Sequence, residues 1–437
     1  MESSTARISI IGCGYVGLVT GACFADAGYR VRCYDIDQAR VGQLKAGELP
    51  IYEPGLAELV SRNLSQEGLT FTGDLSHALD GAQFVFLCLP TPQGENGETD
   101  LRALEIGVSR IAPLLPRDAI VITKSTVPVG QGDAIEAQLR KARPDWEGEI
   151  VSNPEFLTEG TAVTDFQKPS RVVIGATGAA ADAVAGLYEP FVRTGSPTIK
   201  VSRRSAELAK YAANYALATR ISMMNELAAL SEALGANIDD VRRIVGADSR
   251  IGPRYLFAGA GFGGSCLPKD LASLRLQAGT LSLPVVDAVL EVNESQRERI
   301  ARKLRTLLDR PLKDARVALW GLSFKPETDD VREAPAIYLA KYLLKQGARV
   351  VAFDPKVNSL GKAGLQNGLE FAAGPYAACE GAHALAVMTE WNLFRKPDFA
   401  RVREVMSNPA VLDARNLYEP AAMRELGFAY ECIGARG

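Results

Sequence analysis

The sequence predicts an α/β chain: two Rossmann-like, doubly wound domains joined by a long central helix and a helical middle domain. Three observations carry this. A strand, a glycine turn, a helix and a second strand follow one another at 7–35, and the same outline returns at 315–354. Alternating β and α segments imply mostly parallel sheets covered on both faces. Between the two outlines, 205–234 holds neither Pro nor Gly and is rich in Ala, Leu and Met. At roughly 150 residues per domain, the 437 residues suit two or three domains. The boundaries are expected at 1–203, 204–300 and 301–437.

The first strand reads Arg7-Ile-Ser-Ile-Ile11 and runs into Gly12. A helix is expected from Tyr15 to Gly28, then a strand from Arg30 to Asp35, closing a βαβ unit. Further strands are expected at 84–89, 119–123, 149–152 and 171–175. The central helix should begin near Ser205, behind the polar Arg203-Arg204, and stop at Gly235. About thirty residues at ~1.5 Å each give roughly 45 Å. So much Ala and Leu predicts burial on several sides, as an interdomain spine and a dimer contact. The last region begins with a strand at 315–320, a helix at about 334–346 and a strand ending at Asp354. Later strands are expected at 384–388 and 410–413.

Lys and Arg total 49 against 52 Asp and Glu, a net charge of −3. That balance provides no field for steering onto nucleic acid or an anionic membrane. An anion must therefore be held by a local site. The seven cysteines (Cys13, Cys23, Cys33, Cys88, Cys266, Cys379, Cys432) form no CxxC pair, and the only histidines are His77 and His383. No metal site is expected. A reduced, cytoplasmic chain without signal region or transmembrane helix fits this composition.

Two segments carry chemistry. Gly12-Cys-Gly-Tyr-Val-Gly17 is a GxGxxG turn between strand and helix. Gly12 permits the tight turn, Gly14 the approach of a pyrophosphate, and Gly17 close helix–strand packing. Asp35, ending the second strand, can accept from a ribose diol and repels a 2′-phosphate, which favours NAD over NADP; Arg40 is close enough to favour the phosphate. In Gly261-Phe-Gly-Gly-Ser-Cys-Leu-Pro-Lys-Asp270, three glycines in four positions should expose N–H groups to an anion. Cys266 follows them in a polar setting, where a thiolate would be reactive. Cys23 and Cys33 read as buried packing residues.

These two motifs occur in order with Asn153-Pro-Glu-Phe-Leu-Thr-Glu-Gly160 and Gly321-Leu-Ser-Phe-Lys-Pro-Glu-Thr-Asp-Asp-Val-Arg-Glu333. Over nearly the whole chain the set resembles the nucleotide-sugar 6-dehydrogenase family, which includes enzymes of UDP-glucose and GDP-mannose. Thr389-Glu-Trp-Asn-Leu-Phe394, Asp413-Ala-Arg-Asn-Leu-Tyr418 and the ending Gly427–Gly434 are similar to the UDP-glucose branch.

The resemblance implies a four-electron oxidation of UDP-glucose to UDP-glucuronate with two NAD per turnover. A Cys266 thiohemiacetal would become a thioester, and Glu159 would activate the hydrolytic water. Glu155 and Glu159, four apart behind Asn153 and Pro154, are expected on one face of a helix. The match to the family assigns Lys210 and Asn214, four apart on the long helix, to the C6 oxygen. Asp270 would orient water or hold Lys210, and Thr126 would lie near the nicotinamide. The same match places Gly12, Gly14, Tyr15, Val16, Gly17, Asp35, Arg40, Thr91, Thr126, Glu159, Lys269 and Arg332 around NAD. It places Glu155, Phe156, Leu157, Thr158, Glu159, Lys210, Asn214, Arg250, Tyr255, Leu256, Phe257, Ala258, Gly259, Gly263, Lys325 and Arg415 around the substrate. Thr158 and Phe257 depart from residues common in relatives. The C-terminal domain, whose glycine turn Gly321-Leu-Ser-Phe-Lys325 lacks GxGxxG, is expected to hold the UDP moiety and not a second NAD. A homodimer is expected, with Arg250 meeting substrate either within its own chain or across the dimer, and neither nucleic acid nor membrane as partner.

The same chemistry on GDP-mannose or a UDP-N-acetylhexosamine is the near alternative. A two-electron hydroxyacid dehydrogenase shares the first domain and a long helix but needs no thiolate. A non-catalytic NAD-binding regulator needs none of the Cys, Lys, Asn and Asp set.

Overall fold

The computed structural model describes residues 6–193, 195–365 and 367–435. It divides into two compact units. The first comprises Met1–Ala213 with Ala272–Gly279, and the second Asn214–Leu271 with Thr280–Gly437.

The first unit is built on eight strands: β1 (Arg7–Ile11), β2 (Arg30–Tyr34), β3 (Leu69–Thr72), β4 (Phe84–Leu87), β5 (Ile120–Thr123), β6 (Ile150–Ser152), β7 (Val172–Gly175) and β8 (Thr198–Val201). Their order is β3-β2-β1-β4-β5-β6-β7-β8. All pairs are parallel except β6 with β7, which meet antiparallel at Ser152 and Gly175. The apolar runs of β1 and β4 are buried because helices cover both faces. The direction in which successive strands are added reverses between β1 and β4. Such a topological switch point opens a crevice beyond the strands' C-terminal ends, where ligands bind.

The second unit holds β9 (Arg316–Trp320), β10 (Arg349–Phe353), β11 (Leu369–Phe371), β12 (Ala384–Val387), β13 (Ala410–Asp413) and β14 (Ala429–Glu431). The order β11-β10-β9-β12-β13-β14 is parallel throughout. Its switch point lies between β9 and β12. The short strands β3, β8, β11 and β14 were not expected from sequence. Each has only three or four residues and little apolar patterning to announce it.

The long helix runs from Arg203 to Leu234, two residues earlier than expected, and Gly235 beyond it takes a left-handed φ of +74°. Burial on several sides is not what the chain shows. Ala206, Lys210, Asn214, Ala218, Ser222, Asn225 and Ala228 form one buried stripe at helical spacing. Leu208, Met223, Leu230 and Leu234 are exposed. Ala and Leu serve here as helix formers as much as core residues.

Candidate active site

In the first unit, Gly12 follows β1 with φ +103°, and an added Cβ would stand 2.7 Å from the Cys88 carbonyl oxygen. At Gly17 a Cβ would lie 1.9 Å from the Gly12 carbonyl oxygen. At Gly14, which precedes helix Tyr15–Asp26, a Cβ would meet nothing within 4 Å. Two glycines thus serve packing, and the third leaves open space before a helix N-terminus. A dinucleotide pyrophosphate fits that arrangement. Tyr15 and Val16 begin the helix and are half-buried. Asp35 is buried; its Oδ2 accepts from the Cys13 N–H (2.8 Å) and from Arg40 (3.2 Å). Arg40 is therefore neutralised by the carboxylate. The Thr126 carbonyl, beyond β5, accepts from Thr91 Oγ1 at 2.9 Å.

The segment 153–158 is not helical. Glu155 and Glu159 therefore do not share a helix face. Side chains have taken the backbone donors a helix would use. The Leu157 N–H donates to Glu155 Oε2 (2.6 Å) and the Thr158 N–H to Asp165 Oδ2 (2.9 Å). Asn153 Oδ1 accepts from Lys124 Nζ (3.0 Å) and Tyr188 OH (2.6 Å). A helix begins only at Ala162.

Glu155 and Lys210 are both buried and ion-paired at 2.9 Å. Burial alone would raise the Glu155 carboxyl, but the Lys210 ammonium outweighs it and holds the group below the usual range. The inward lysine thus has the partner its burial requires. Phe156 lies beneath two cations, Lys210 at 5.5 Å and Arg171 at 3.6 Å from the ring centroid. Phe156, Leu157, Thr158 and Glu159 are half-buried. Burial and the acceptor Glu53 push the Tyr15 phenol far up, and the charge of nearby Glu159 adds to this.

In the second unit, Cys266 immediately precedes helix Leu267–Gln277, and its carbonyl accepts the Asp270 N–H at 2.9 Å. A helix N-terminus favours negative charge. Cys266 is exposed, whereas the other six cysteines are buried, and none of the seven forms a disulfide. Burial pushes Cys23 and Cys88 up to about 12. The Ser265 hydroxyl lies 3.6 Å from the Cys266 sulfur. Asp270, buried, accepts from Asn214 Nδ2 (2.5 Å) and pairs with Lys269 (2.8 Å).

The glycines before Cys266 do not form the expected anion cradle. The Phe262 N–H donates to Asn293 Oδ1 and the Gly264 N–H to the Arg332 carbonyl, both at 2.8 Å. Gly261 and Gly264 have φ of +103° and +80°, and a Cβ on Gly263 would lie 2.4 Å from the Glu333 carbonyl oxygen. They allow close backbone packing. Upstream, Tyr255 takes a left-handed φ of +63° and Leu256 is fully buried. The Gly259 N–H donates to Asn225 Oδ1 (2.8 Å), and its carbonyl accepts from Gln296 Nε2 (2.6 Å). Ala258 is half-buried, and Phe257 is exposed with Arg242 stacked at 5.0 Å. Arg250 is exposed and paired with Asp248; Arg332 pairs with Asp330.

At the second switch point, Gly321 packs so closely that a Cβ would stand 2.3 Å from Thr389. The Leu322 and Ser323 N–H groups donate to buried Asp354 Oδ2 (2.8 and 3.1 Å). Those donors are spent within the protein. Lys325 lies 5.3 Å from the Phe324 ring centroid, and Arg415 donates to the Phe324 carbonyl at 3.0 Å. Arg415 Nε also donates to the Met388 carbonyl (2.8 Å), with Glu390 3.2 Å away.

Sequence reasoning missed Glu53, Lys124, Asn225, Asn293 and Gln296, which hold the loops bearing the chemistry. Each contacts residues at least 29 positions away. No local spacing announces them.

No group of three or more His, Cys, Asp and Glu able to hold a metal occurs among the described residues. No helix among them is long and apolar enough to cross a membrane. Residues 6–192, 204–295 and 318–420 match the NAD binding, central and UDP binding domains of the UDP-glucose/GDP-mannose dehydrogenase family. The chain is 45% identical to a UDP-glucose 6-dehydrogenase of Pseudomonas aeruginosa, over 98% of this chain and 97% of that one. It is 42% identical to a UDP-glucose 6-dehydrogenase of Rhizobium meliloti, over 98% and 99%. A solved UDP-glucose dehydrogenase from Pyrobaculum islandicum superposes with a TM-score of 0.90 at 35% identity, covering 100% of this chain and 99% of that one. The dinucleotide turn, the exposed cysteine and these matches agree: the chain belongs to the UDP-glucose/GDP-mannose dehydrogenase family, and is an NAD-dependent oxidoreductase.

Proposed function

We propose that the protein oxidises the C6 alcohol of UDP-glucose to the carboxylate of UDP-glucuronate. The observation that carries this is the single exposed cysteine, set at a helix N-terminus beside a buried Asp270 that holds Asn214 and Lys269. When bound, NAD accepts one hydride at each of two oxidations. The first converts the alcohol to an aldehyde, with the proton passing to solvent. The Cys266 thiolate then adds to the carbonyl carbon, forming a C–S bond and a thiohemiacetal. Loss of a second hydride and a proton leaves a thioester. Glu159 removes a proton from water as it attacks, and the C–S bond breaks to return the thiolate and a carboxylate. Lys210 and Asn214 supply donors for the C6 oxygen, Lys210 held inward by Glu155.

Gly12, Gly14, Tyr15, Val16, Gly17, Asp35 and Thr91 hold the dinucleotide, with Arg40 tied to Asp35; Thr126 borders the nicotinamide, and Lys269 and Arg332 lie nearby. Phe156, Leu157, Thr158 and the stretch from Tyr255 to Gly263 line the sugar; Lys325 meets the diphosphate, and Arg415 contacts the substrate. The protein works as a cytoplasmic homodimer in which the exposed Leu208, Met223 and Leu230 are covered and Arg250 reaches the partner. A panel of nucleotide sugars with NAD tests the substrate. UDP-glucose should give the highest kcat/KM, and a preference for GDP-mannose or a UDP-N-acetylhexosamine would reassign it. Cys266→Ser should cut turnover by several orders of magnitude while leaving UDP-glucose binding intact.

A further inference from the structure

Glu53 is buried at 5% exposure, in the turn before helix Leu56–Ser65. Its carboxylate gathers three donors from two places. Oε2 accepts the Gly160 N–H (2.6 Å) and the Tyr15 hydroxyl, and Oε1 accepts the Ala162 N–H (2.7 Å). Gly160 directly follows Glu159, and Ala162 opens the helix Ala162–Gln167. Tyr15 is the first residue of the helix behind the dinucleotide turn. Gly160 takes a left-handed φ of +84°, so the backbone beside Glu159 has a conformation that few residues adopt unaided. A buried carboxylate bound by two N–H groups and a hydroxyl is well satisfied, and each bond to a charged acceptor is strong. Tyr15 stays a protonated donor, because burial and this acceptor both disfavour its anion.

We propose that Glu53 is a positioning residue that ties the Glu159 loop to the dinucleotide turn, so that cofactor affinity and the placement of Glu159 depend on one buried carboxylate. It touches neither substrate nor cofactor and acts through Tyr15 and through the Gly160 and Ala162 backbone. The role of Glu159 rests on the function proposed above; the link to cofactor affinity does not. An amide at position 53 keeps the shape but turns an NH2 toward one of the three donors. At least one bond is lost, and a buried N–H or hydroxyl is left without an acceptor.

The test compares Glu53→Gln, Glu159→Gln and the double variant by steady-state kinetics. Glu53→Gln should raise KM for NAD at least fivefold and lower kcat about tenfold, with KM for UDP-glucose within twofold of the parent. In the double variant kcat should match Glu159→Gln within about twofold, because the two act on one step. A lower Tm with NAD KM and kcat unchanged would make Glu53 a merely structural residue and overturn the proposal. Multiplicative losses in kcat would overturn the link to Glu159. If Glu159→Gln alone turned over normally, the assignment of Glu159 would fail, and the NAD KM of Glu53→Gln would still decide the cofactor link. Should Glu53→Gln not fold, Tyr15→Phe removes one donor and leaves both N–H bonds in place. It should raise NAD KM at least threefold, and an unchanged NAD KM would overturn the proposal.

Discussion

Cys266 and Lys124 stand at opposite extremes of exposure, and each makes a prediction. Cys266 is exposed, so a covalent adduct on it is measurable directly. With Glu159→Gln, hydrolysis should slow and a UDP-sugar thioester should accumulate on Cys266, visible as a mass increase on the intact protein. The parent should show none at steady state, and an unmodified Glu159→Gln chain after turnover would remove Glu159 from hydrolysis. Lys124 is buried between Asn153 and Tyr188, and that burial lowers its ammonium to about 8 from 10.5. The sign follows: between about pH 8 and 10.5 the unfolded chain holds a proton that the folded chain has released, so this group makes stability rise with pH. Relative to Lys124→Met, the parent should gain on the order of 2 kcal/mol from pH 8 to pH 10. Parallel Tm–pH curves for the two proteins would contradict this. Cys266 was legible in sequence because its neighbours are polar and glycine-rich. Lys124 and Glu53 were not, since their partners are far away along the chain and only the sheet order brings them together.

Among elements, the βαβ unit at the N-terminus was the most legible, because glycine spacing there answers a steric demand. Gly17→Ala would push a methyl against the Gly12 carbonyl, 1.9 Å away. The cost should be about 1–3 kcal/mol of stability, by overpacking, with NAD affinity reduced by the displaced turn. Gly14→Ala meets no protein atom, so it should leave Tm nearly unchanged and weaken NAD binding alone. Thermal melts with and without NAD separate the two; equal Tm losses would refute the division of labour among the glycines. Asp35→Ser would free Arg40 from its 3.2 Å pair and should move preference toward NADP at least tenfold. The long helix was also legible, through absent Pro and Gly. The stretch 153–160 was not: its residues suit a helix start, but Glu155 and Asp165 take its backbone donors, which spacing cannot reveal. The same holds for 261–264, where glycines that suggest an anion cradle instead admit Asn293 and the Glu333 backbone.

For the molecule as a whole, repetition of strand, glycine turn, helix and strand announced two α/β sheets. Each turn spends N–H groups on an aspartate just beyond the second strand of its unit, and at the first sheet Asp35 takes that of Cys13. At the second sheet Asp354 takes two of them, along with the Ser323 hydroxyl and the Trp391 indole (3.1 and 3.2 Å). That turn has no GxGxxG. The exposed apolar side chains lie on the helix read from sequence as a dimer contact, but Ala and Leu patterning did not tell which of them the chain itself buries. Counting NADH formed per UDP-glucose consumed, while identifying the product by mass, tests the four-electron oxidation through Cys266. We expect two NADH and UDP-glucuronate; one NADH with a released aldehyde or ketone would contradict the account.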